Sequence, residues 1–102
     1  MQVRAFIICA EWCGVCRELK MSLPPTLKET LTWIDLDNDE DLLEGLDVDS
    51  FPTLAVYRFD TWVFWGNVKP VWSIIERACA TVSGSVNADV STKLGKLLRS
   101  AL

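Results

Sequence analysis

Residues 3–16 read VRAFIICAEWCGVC, and this stretch decides the fold. Residues 3–9 form a run of mostly apolar, β-branched and aromatic side chains that is long enough for a buried strand and too short for a helix. From Cys13 to about Leu23 the pattern becomes helical, with apolar side chains four residues apart. The stretch therefore predicts a strand that leads directly into a helix, with Cys13 and Cys16 at the junction.

Two cysteines at the start of a helix suit thiol chemistry. Unpaired backbone N–H groups and the positive end of the helix dipole favour a thiolate at Cys13 over a thiol. Cys16 lies three residues further on, so both sulfur atoms share one helical face at a separation that a disulfide can bridge. We therefore expect Cys13 to be the exposed nucleophile and Cys16, more buried, to resolve a mixed disulfide formed at Cys13.

The composition narrows the function classes. The 102 residues fit one domain of ordinary size, and 50% apolar with 24% charged residues indicates a packed globular protein. A net charge of −4 argues against a nucleic-acid partner, because the phosphate backbone repels an acidic protein. The chain has no histidine, which excludes Cys-His and Ser-His catalysis and imidazole metal ligands. Chemistry in this chain therefore depends on cysteine or carboxylate.

The first ten residues do not resemble a secretory leader, and no apolar stretch approaches the roughly 18 residues that a membrane-spanning helix needs. We therefore expect a cytoplasmic protein with no membrane span. In a reducing compartment, closely spaced cysteines are more often catalytic or metal-binding than structural.

The rest of the chain predicts further strands and helices. They are a strand at 31–36, a short helix at 39–45 and a hairpin of two strands, 51–59 and 62–65, that turns at Asp60-Thr61. A helix is then predicted from Pro70, and its buried stripe would consist of Val71, Ile74, Ile75 and Ala78. A strand–helix–strand unit favours a parallel strand pair, and the hairpin adds antiparallel strands. We expect an α/β fold with a mixed four-stranded sheet flanked by helices.

Two regions of the chain are expected to have different roles. Residues 1–82 would form the α/β domain, and residues 83–102 a linker and a basic amphipathic helix packed on or beside it. The apolar face predicted for this last helix consists of Leu94, Leu97, Leu98, Ala101 and Leu102.

A second motif, Ser50-Phe51-Pro52-Thr53, stands immediately before a predicted apolar strand. The two motifs, in this order, resemble the thioredoxin superfamily: Trp12-Cys13-Gly14-Val15-Cys16 is similar to its active-site signature, and Phe51-Pro52-Thr53-Leu54 to its cis-proline segment. The resemblance covers roughly residues 3–79. It implies a thioredoxin-like fold that lacks the N-terminal strand and helix of full thioredoxins and has an extra C-terminal helix.

The resemblance also implies a substrate-binding surface. It implies a cis peptide at Phe51–Pro52, with the Phe51 backbone free to pair with an extended substrate chain beside Cys13. Gly66 matches the groove-lining glycine of the family, so residues 65–67 would form a third wall, and the flanking positions of Trp12 and Trp65 favour substrate contact. The implied substrate-binding residues are Trp12, Gly14, Val15, Phe51, Pro52, Thr53, Trp65 and Gly66.

The resemblance implies a protein disulfide reductase that uses a Cys13-Cys16 dithiol, with no cofactor and no bound metal. Its partners would be disulfide-containing proteins, with a reductase or a low-molecular-weight thiol as the electron donor. Two positions depart from the family, because Ile7 and Trp33 stand where thioredoxins bury an acidic side chain and a lysine. The tyrosine and Gly-Gly pair expected of a glutathione-specific glutaredoxin are also absent.

Two other function classes remain open. The departures at Ile7 and Trp33, the C-terminal helix and the acidic stretch at 35–49 also suit a binding, chaperone-like or redox-sensing module with little turnover. We expect the acidic stretch itself to be a solvated face. A zinc site completed by Cys9 and Cys79 is the third class, but their spacing differs from paired zinc knuckles, so we expect both to be small core residues.

Overall fold

The strands and α-helices follow one another in the order that the sequence pattern predicts, but the short helix predicted at 39–45 is a 3₁₀ turn and a further 3₁₀ turn precedes the second strand. The computed structural model describes residues 3–82 and 84–100. Its elements are β1 (Val3–Cys9), α1 (Gly14–Met21), a 3₁₀ turn (Pro25–Leu27), β2 (Leu31–Asp35), a second 3₁₀ turn (Glu40–Leu43), β3 (Thr53–Arg58), β4 (Thr61–Asn67), α2 (Trp72–Thr81) and α3 (Ala88–Ser100).

The four strands form one mixed sheet in the order β2-β1-β3-β4. Strand β1 pairs in parallel with β2 and antiparallel with β3, and β3 pairs antiparallel with β4. The predicted α/β fold, a mixed four-stranded sheet flanked by helices, is confirmed.

Strand β1 is buried on both faces of this sheet. Its side chains alternate: Ile7 and Cys9 face the helices α1 and α2, whereas Phe6 and Ile8 face the side covered by α3. All four are at most 1% exposed. Burial on both sides explains why the sequence of this strand is a continuous apolar run rather than an alternating one.

The buried face of α2, which lies on the α1 side of the sheet, matches the predicted stripe at Ile75 and Ala78 but not at its other two positions. The Trp72 indole Nε1 donates a hydrogen bond to the carbonyl oxygen of Leu19 at 3.0 Å, which fixes the start of α2 over the end of α1. Ile75 and Cys79, three and seven residues further on, share that side of the helix and are buried. The predicted stripe was wrong at Val71 and Ile74, which are 45% and 40% exposed.

Helix α3 covers the opposite face of the sheet. Leu94 and Leu97 are fully buried there beside Phe6 and Ile8. Two of the residues predicted for the apolar face of this helix, Ala101 and Leu102, lie outside the described residues, as does Ser83 at the predicted start of the linker.

The hairpin turns one residue earlier than predicted. Arg58 pairs with Thr61, so the two turn residues are Phe59 and Asp60 rather than Asp60 and Thr61. Both have positive φ, at 55° and 60°. Two successive residues with a left-handed backbone conformation form a two-residue turn whose twist matches the right-handed twist of the flanking strands.

Cys79 is a free thiol in the core, as expected for a small buried residue. Burial raises the pKa of Cys79 from its ordinary value of 9.0 to about 11, while the Arg58 charge opposes this shift and the Glu76 charge adds to it. Arg58 is itself buried, and its Nη1 donates to the carbonyl oxygen of Cys79 at 3.0 Å.

Replacing Leu97 with alanine tests whether α3 belongs to the core. Because Leu97 is fully buried, we expect the Leu97→Ala variant to lose about 2–5 kcal/mol of unfolding free energy in urea denaturation. The control is Thr92→Ala, an exposed site on the same helix, which should change stability by less than about 0.5 kcal/mol. Equal stability of the two variants would mean that α3 does not hold the sheet.

The raised pKa of Cys79 predicts a loss of stability in alkali. The unfolded chain releases this proton first, so the stabilising contribution is fully present below about pH 9 and is lost as the pH rises toward about 11. Between about pH 8 and about pH 10.5, the unfolding free energy should fall by about 1–2 kcal/mol more in the wild type than in Cys79→Ala. Parallel decreases in the two proteins, measured by urea denaturation, would contradict the assignment.

Candidate active site

Cys13 stands at the N-terminus of α1, just beyond the end of β1. Its N–H donates to the carbonyl oxygen of Ala10 at 3.0 Å, and its own carbonyl oxygen accepts the N–H of Arg17 at 3.1 Å. The residue is half-buried and its thiol is free. The residue is therefore partly open to solvent at the first turn of the helix.

Cys16 lies one turn further along α1 and is almost fully buried. The structure joins it by a disulfide to Cys9, with the two Cα atoms 5.8 Å apart. The sequence predicted a bond between Cys13 and Cys16, so the observed pairing is a correction. Cys9 is buried as expected, but it is not a free thiol.

The Cys9–Cys16 pairing follows from the alternation of β1. Ala5, Ile7 and Cys9 all point to the face on which α1 packs, and Cys9 is the last residue of the strand. The buried side of α1 brings Cys16 against that strand end. The alternation of residues 5–9 indicates that Cys9 shares a face with Ala5 and Ile7. It identifies Cys9 as a partner for Cys16 only when the face on which α1 packs is also known.

The two sequence motifs meet because their strands pair. Ile8, near the end of β1, lies opposite Thr53, the first residue of β3, so the segment before β3 lies beside the start of α1. The Trp12 and Phe51 rings make an edge-to-face contact with centroids 5.4 Å apart. Trp12 is nevertheless 64% exposed, so it also offers a large apolar surface next to Cys13.

The loop before β3 is held by hydrogen bonds from the C-terminal end of β4 and the residue after it. The Phe51–Pro52 peptide bond is cis. The carbonyl oxygen of Pro52 accepts the Asn67 side-chain amide at 2.8 Å and the Val68 N–H at 3.1 Å. Across residues 3–82 and 84–100, no hydrogen bond engages the backbone of Phe51. The Phe51 N–H and carbonyl oxygen therefore have no hydrogen-bond partner within the described part of the chain.

The other residues predicted for substrate binding occupy different environments. Gly14 and Val15 are exposed on the first turn of α1, whereas Thr53 is buried and donates through its hydroxyl to the Ser50 carbonyl oxygen at 2.8 Å. Trp65 is half-buried in the cluster on the α3 side of the sheet, the face opposite α1. The structure does not add its ring to the surface around Cys13, and substrate contact through it stays a prediction.

Gly66 lies opposite Leu54 in the pairing of β3 with β4. A Cβ atom at this position would come 3.3 Å from the Phe64 ring, which is closer than an ordinary contact. A side chain at position 66 would therefore require the ring of Phe64, two residues earlier on the same strand, to shift.

A cavity of about 370 Å³ lies beside α1 and reaches Cys16. Its lining residues are Ala10, Glu11, Cys16, Arg17, Lys20, Trp33 and Asp35. The Lys20 ammonium lies over the Trp33 ring, 5.6 Å from its centroid. Ile7 and Trp33, the two positions that depart from the thioredoxin pattern, both contribute to the apolar packing on the Cys16 side of the sheet.

Part of the acidic stretch shapes the turn after β2. The Asp35 carboxylate accepts the N–H groups of Asp37 and Asn38 at 2.9 and 3.0 Å, and the Asp39 carboxylate accepts the Asp35 N–H at 2.9 Å. In this turn the Asp35 and Asp39 carboxylates accept backbone N–H groups in place of backbone carbonyl oxygens. Asp47 and Asp49, by contrast, are exposed just before the Phe51 loop.

Within the described part of the chain, no three His, Cys, Asp or Glu side chains are grouped so that they could hold a metal ion. No helix among these residues combines the length and apolar character needed to cross a membrane.

Comparison with solved structures confirms the fold. The thioredoxin of Fasciola hepatica matches with a TM-score of 0.65 and 18% identity over 78% of this chain and 79% of that chain. A mutant thioredoxin of Halobacterium salinarum matches with a TM-score of 0.65 and 20% identity, over 84% and 79%. Deadhead, a germline-specific thioredoxin of Drosophila melanogaster, matches with a TM-score of 0.61 and 24% identity, over 78% and 79%.

Sequence comparison identifies the family. A search of curated proteins gave no match. The sequence profile described as Thioredoxin matches residues 5–64, which include Cys9, Cys13, Cys16 and Pro52. This match spans more than half of the chain and contains both motifs. The chain therefore belongs to the thioredoxin family of thiol–disulfide oxidoreductases.

Proposed function

We infer that this protein reduces disulfide bonds in other proteins, with Cys13 as the attacking thiol and Cys16 as the resolving thiol. The observation that carries the proposal is the environment of Cys13. It is a free, half-buried thiol at the N-terminus of α1, with Cys16 one turn behind it. A thiol in this position is partly exposed, so a substrate disulfide could approach it.

The reaction would begin from the reduced protein. The Cys13 thiolate attacks one sulfur of the substrate disulfide, which forms a mixed disulfide and releases the other substrate sulfur as a thiolate. Cys16 then attacks the Cys13 sulfur, releases the second substrate thiol and leaves the protein oxidised. Cys16 is only 2% exposed, so a substrate disulfide would meet Cys13 first and Cys16 would act only after the mixed disulfide has formed.

The substrate chain would lie across the exposed surface between the two motifs. Trp12, Gly14 and Val15 border Cys13 on one side, and Phe51 borders it on the other through the contact of its ring with Trp12. The unpaired backbone of Phe51 would hydrogen-bond an extended segment of substrate, while Pro52 and Thr53 hold that loop in place. Gly66, and Trp65 through its packing, would support the third side of this groove.

The electrons would come from a reductase or a low-molecular-weight thiol. We propose a cytoplasmic location, where the reducing environment would return Cys13 and Cys16 to the thiol state after each reaction.

A second candidate function is a binding or redox-sensing module with little turnover. The observation that favours it is the apolar packing at Ile7 and Trp33, which puts no charged side chain where thioredoxins bury two. Without such groups the proton transfers at Cys16 would be slower. Disulfide reduction well below that of thioredoxin, together with retained partner binding, would favour this candidate.

Single cysteine variants test the assignment of roles. Cys13→Ser should reduce insulin no faster than dithiothreitol alone, because the attacking thiol is gone. Cys16→Ser should accumulate a covalent mixed disulfide through Cys13, visible by non-reducing electrophoresis and mass spectrometry. Cys79→Ala is the control, since this core thiol lies outside the site. Mixed disulfides formed equally by Cys13→Ser would contradict the roles.

Replacing Trp12 tests the substrate surface. Trp12→Ala removes an exposed ring beside Cys13, so KM for insulin should rise about three- to thirtyfold while the reduction of a small aromatic disulfide changes little. The matched control is Phe59→Ala, which removes another exposed ring at the far end of β3. An equal effect of the two substitutions on KM would count against a substrate surface at Trp12.

A further inference from the structure

Three cysteines, rather than two, meet at the junction of β1 and α1. Cys9 ends β1, Cys13 begins α1, and Cys16 lies one turn into α1. Cys9 and Cys16 belong to one buried cluster, and the partly buried Cys13 packs against the same cluster. Cys16 therefore has two cysteine neighbours, one in the core and one at the surface.

Cys16 can form a disulfide with only one of these neighbours at a time. The structure joins it to Cys9 and leaves Cys13 as a free thiol. The Cα separation of 5.8 Å between Cys9 and Cys16 lies within the usual range for a disulfide, so the backbone already holds this pair at bonding distance.

We propose that Cys9 is a third redox residue. After each substrate disulfide has been reduced, Cys9 replaces Cys13 as the disulfide partner of Cys16, and Cys13 returns to the thiol state. This proposal rests on the proposed function, because the oxidised Cys13–Cys16 pair is its starting point. The Cys9 thiolate attacks the Cys16 sulfur, the Cys13–Cys16 bond breaks and the Cys9–Cys16 bond forms. The proton lost by Cys9 goes to the departing Cys13 thiolate. One thiol and one disulfide are present before and after, so no external oxidant or reductant is needed.

The exchange changes which sulfur atoms the oxidised protein exposes. With the disulfide between Cys9 and Cys16, both bonded residues are at most 2% exposed, while the half-buried Cys13 keeps a reactive thiol. An ordinary two-cysteine site has no such thiol once it is oxidised. The oxidised protein could therefore still form a mixed disulfide with a second partner through Cys13, without Cys16 available to release it.

The chain allows the two disulfides to be distinguished directly. Trypsin cleaves after Arg4 and Arg17, and an enzyme that cleaves after glutamate divides the resulting peptide at Glu11. Cys9 then lies on one fragment, and Cys13 and Cys16 on the other. A Cys9–Cys16 bond links the two fragments, whereas a Cys13–Cys16 bond forms a loop within the second.

In the experiment, the reduced full-length protein is oxidised with one equivalent of insulin disulfide, treated with iodoacetamide in the native state, quenched in acid and digested with both enzymes. We expect linked fragments, with Cys13 alkylated, as the main oxidised product. If the loop within the second fragment accounts for the oxidised protein and Cys13 is not alkylated, the proposal is overturned.

Two variants and one control complete the test. Oxidised Cys9→Ala should contain only the Cys13–Cys16 loop, with alkylation of Cys13 at least tenfold lower than in the oxidised wild type. Cys13→Ser should form the Cys9–Cys16 bond with insulin at least tenfold more slowly than the wild type, because oxidation enters through Cys13. Comparable rates of Cys9–Cys16 bond formation in Cys13→Ser and in the wild type would overturn the exchange. Cys79→Ala, which removes another cysteine from the same core cluster, should behave as the wild type.

Insulin reduction separates the two proposals. If reduction depends on Cys13 and Cys16 but only the Cys13–Cys16 loop is found, the exchange with Cys9 is wrong and the proposed function stands. If the wild type does not reduce insulin at all, the proposed function is wrong, and the exchange with Cys9, which starts from the Cys13–Cys16 disulfide formed in that reaction, is wrong with it.

Discussion

The burial of β1 on both faces is the constraint on which the rest of the structure depends. The strand pairs with β2 on one side and β3 on the other, and its side chains fill two separate cores. Its C-terminal end therefore has a fixed position in the sheet, and the chain leaves it directly into α1. The pairing of Ile8 with Thr53 brings the start of β3 to the same place. The free thiol of Cys13 and the Phe51 loop are neighbours for this reason.

Much of this arrangement could be predicted from the sequence, because the relevant signals are local. An apolar run followed at once by a helical pattern defines β1 and α1, and a proline before an apolar strand defines the loop at Pro52. The hairpin was predicted one residue out of place, because the turn is set by the pairing of Arg58 with Thr61. The buried face of α2 was wrong at Val71 and Ile74, since the position of Trp72 on α1 decides the rotation of that helix.

The partner of Cys16 could not be predicted from spacing alone. Cys13 and Cys9 are both within reach of it, one along the helix and one across the packing interface with β1. The helical period favours the first, whereas the second becomes apparent only when the faces of strand and helix are assembled. The same limit applies to Trp65. Its position next to Gly66 suggests the groove, but an irregularity in the pairing of β3 with β4 interrupts the alternation of β4, and the Trp65 ring lies on the α3 side of the sheet together with Trp62.

Helix α3 lies entirely beyond residues 5–64, the part of the chain that the family profile recognises. Yet Leu94 and Leu97 close the core over Phe6 and Ile8. The recognisable part of this protein is therefore smaller than its cooperative folding unit. A shortened version designed from the family match alone would retain both motifs, but it would carry an uncovered apolar sheet face and a tendency to self-associate.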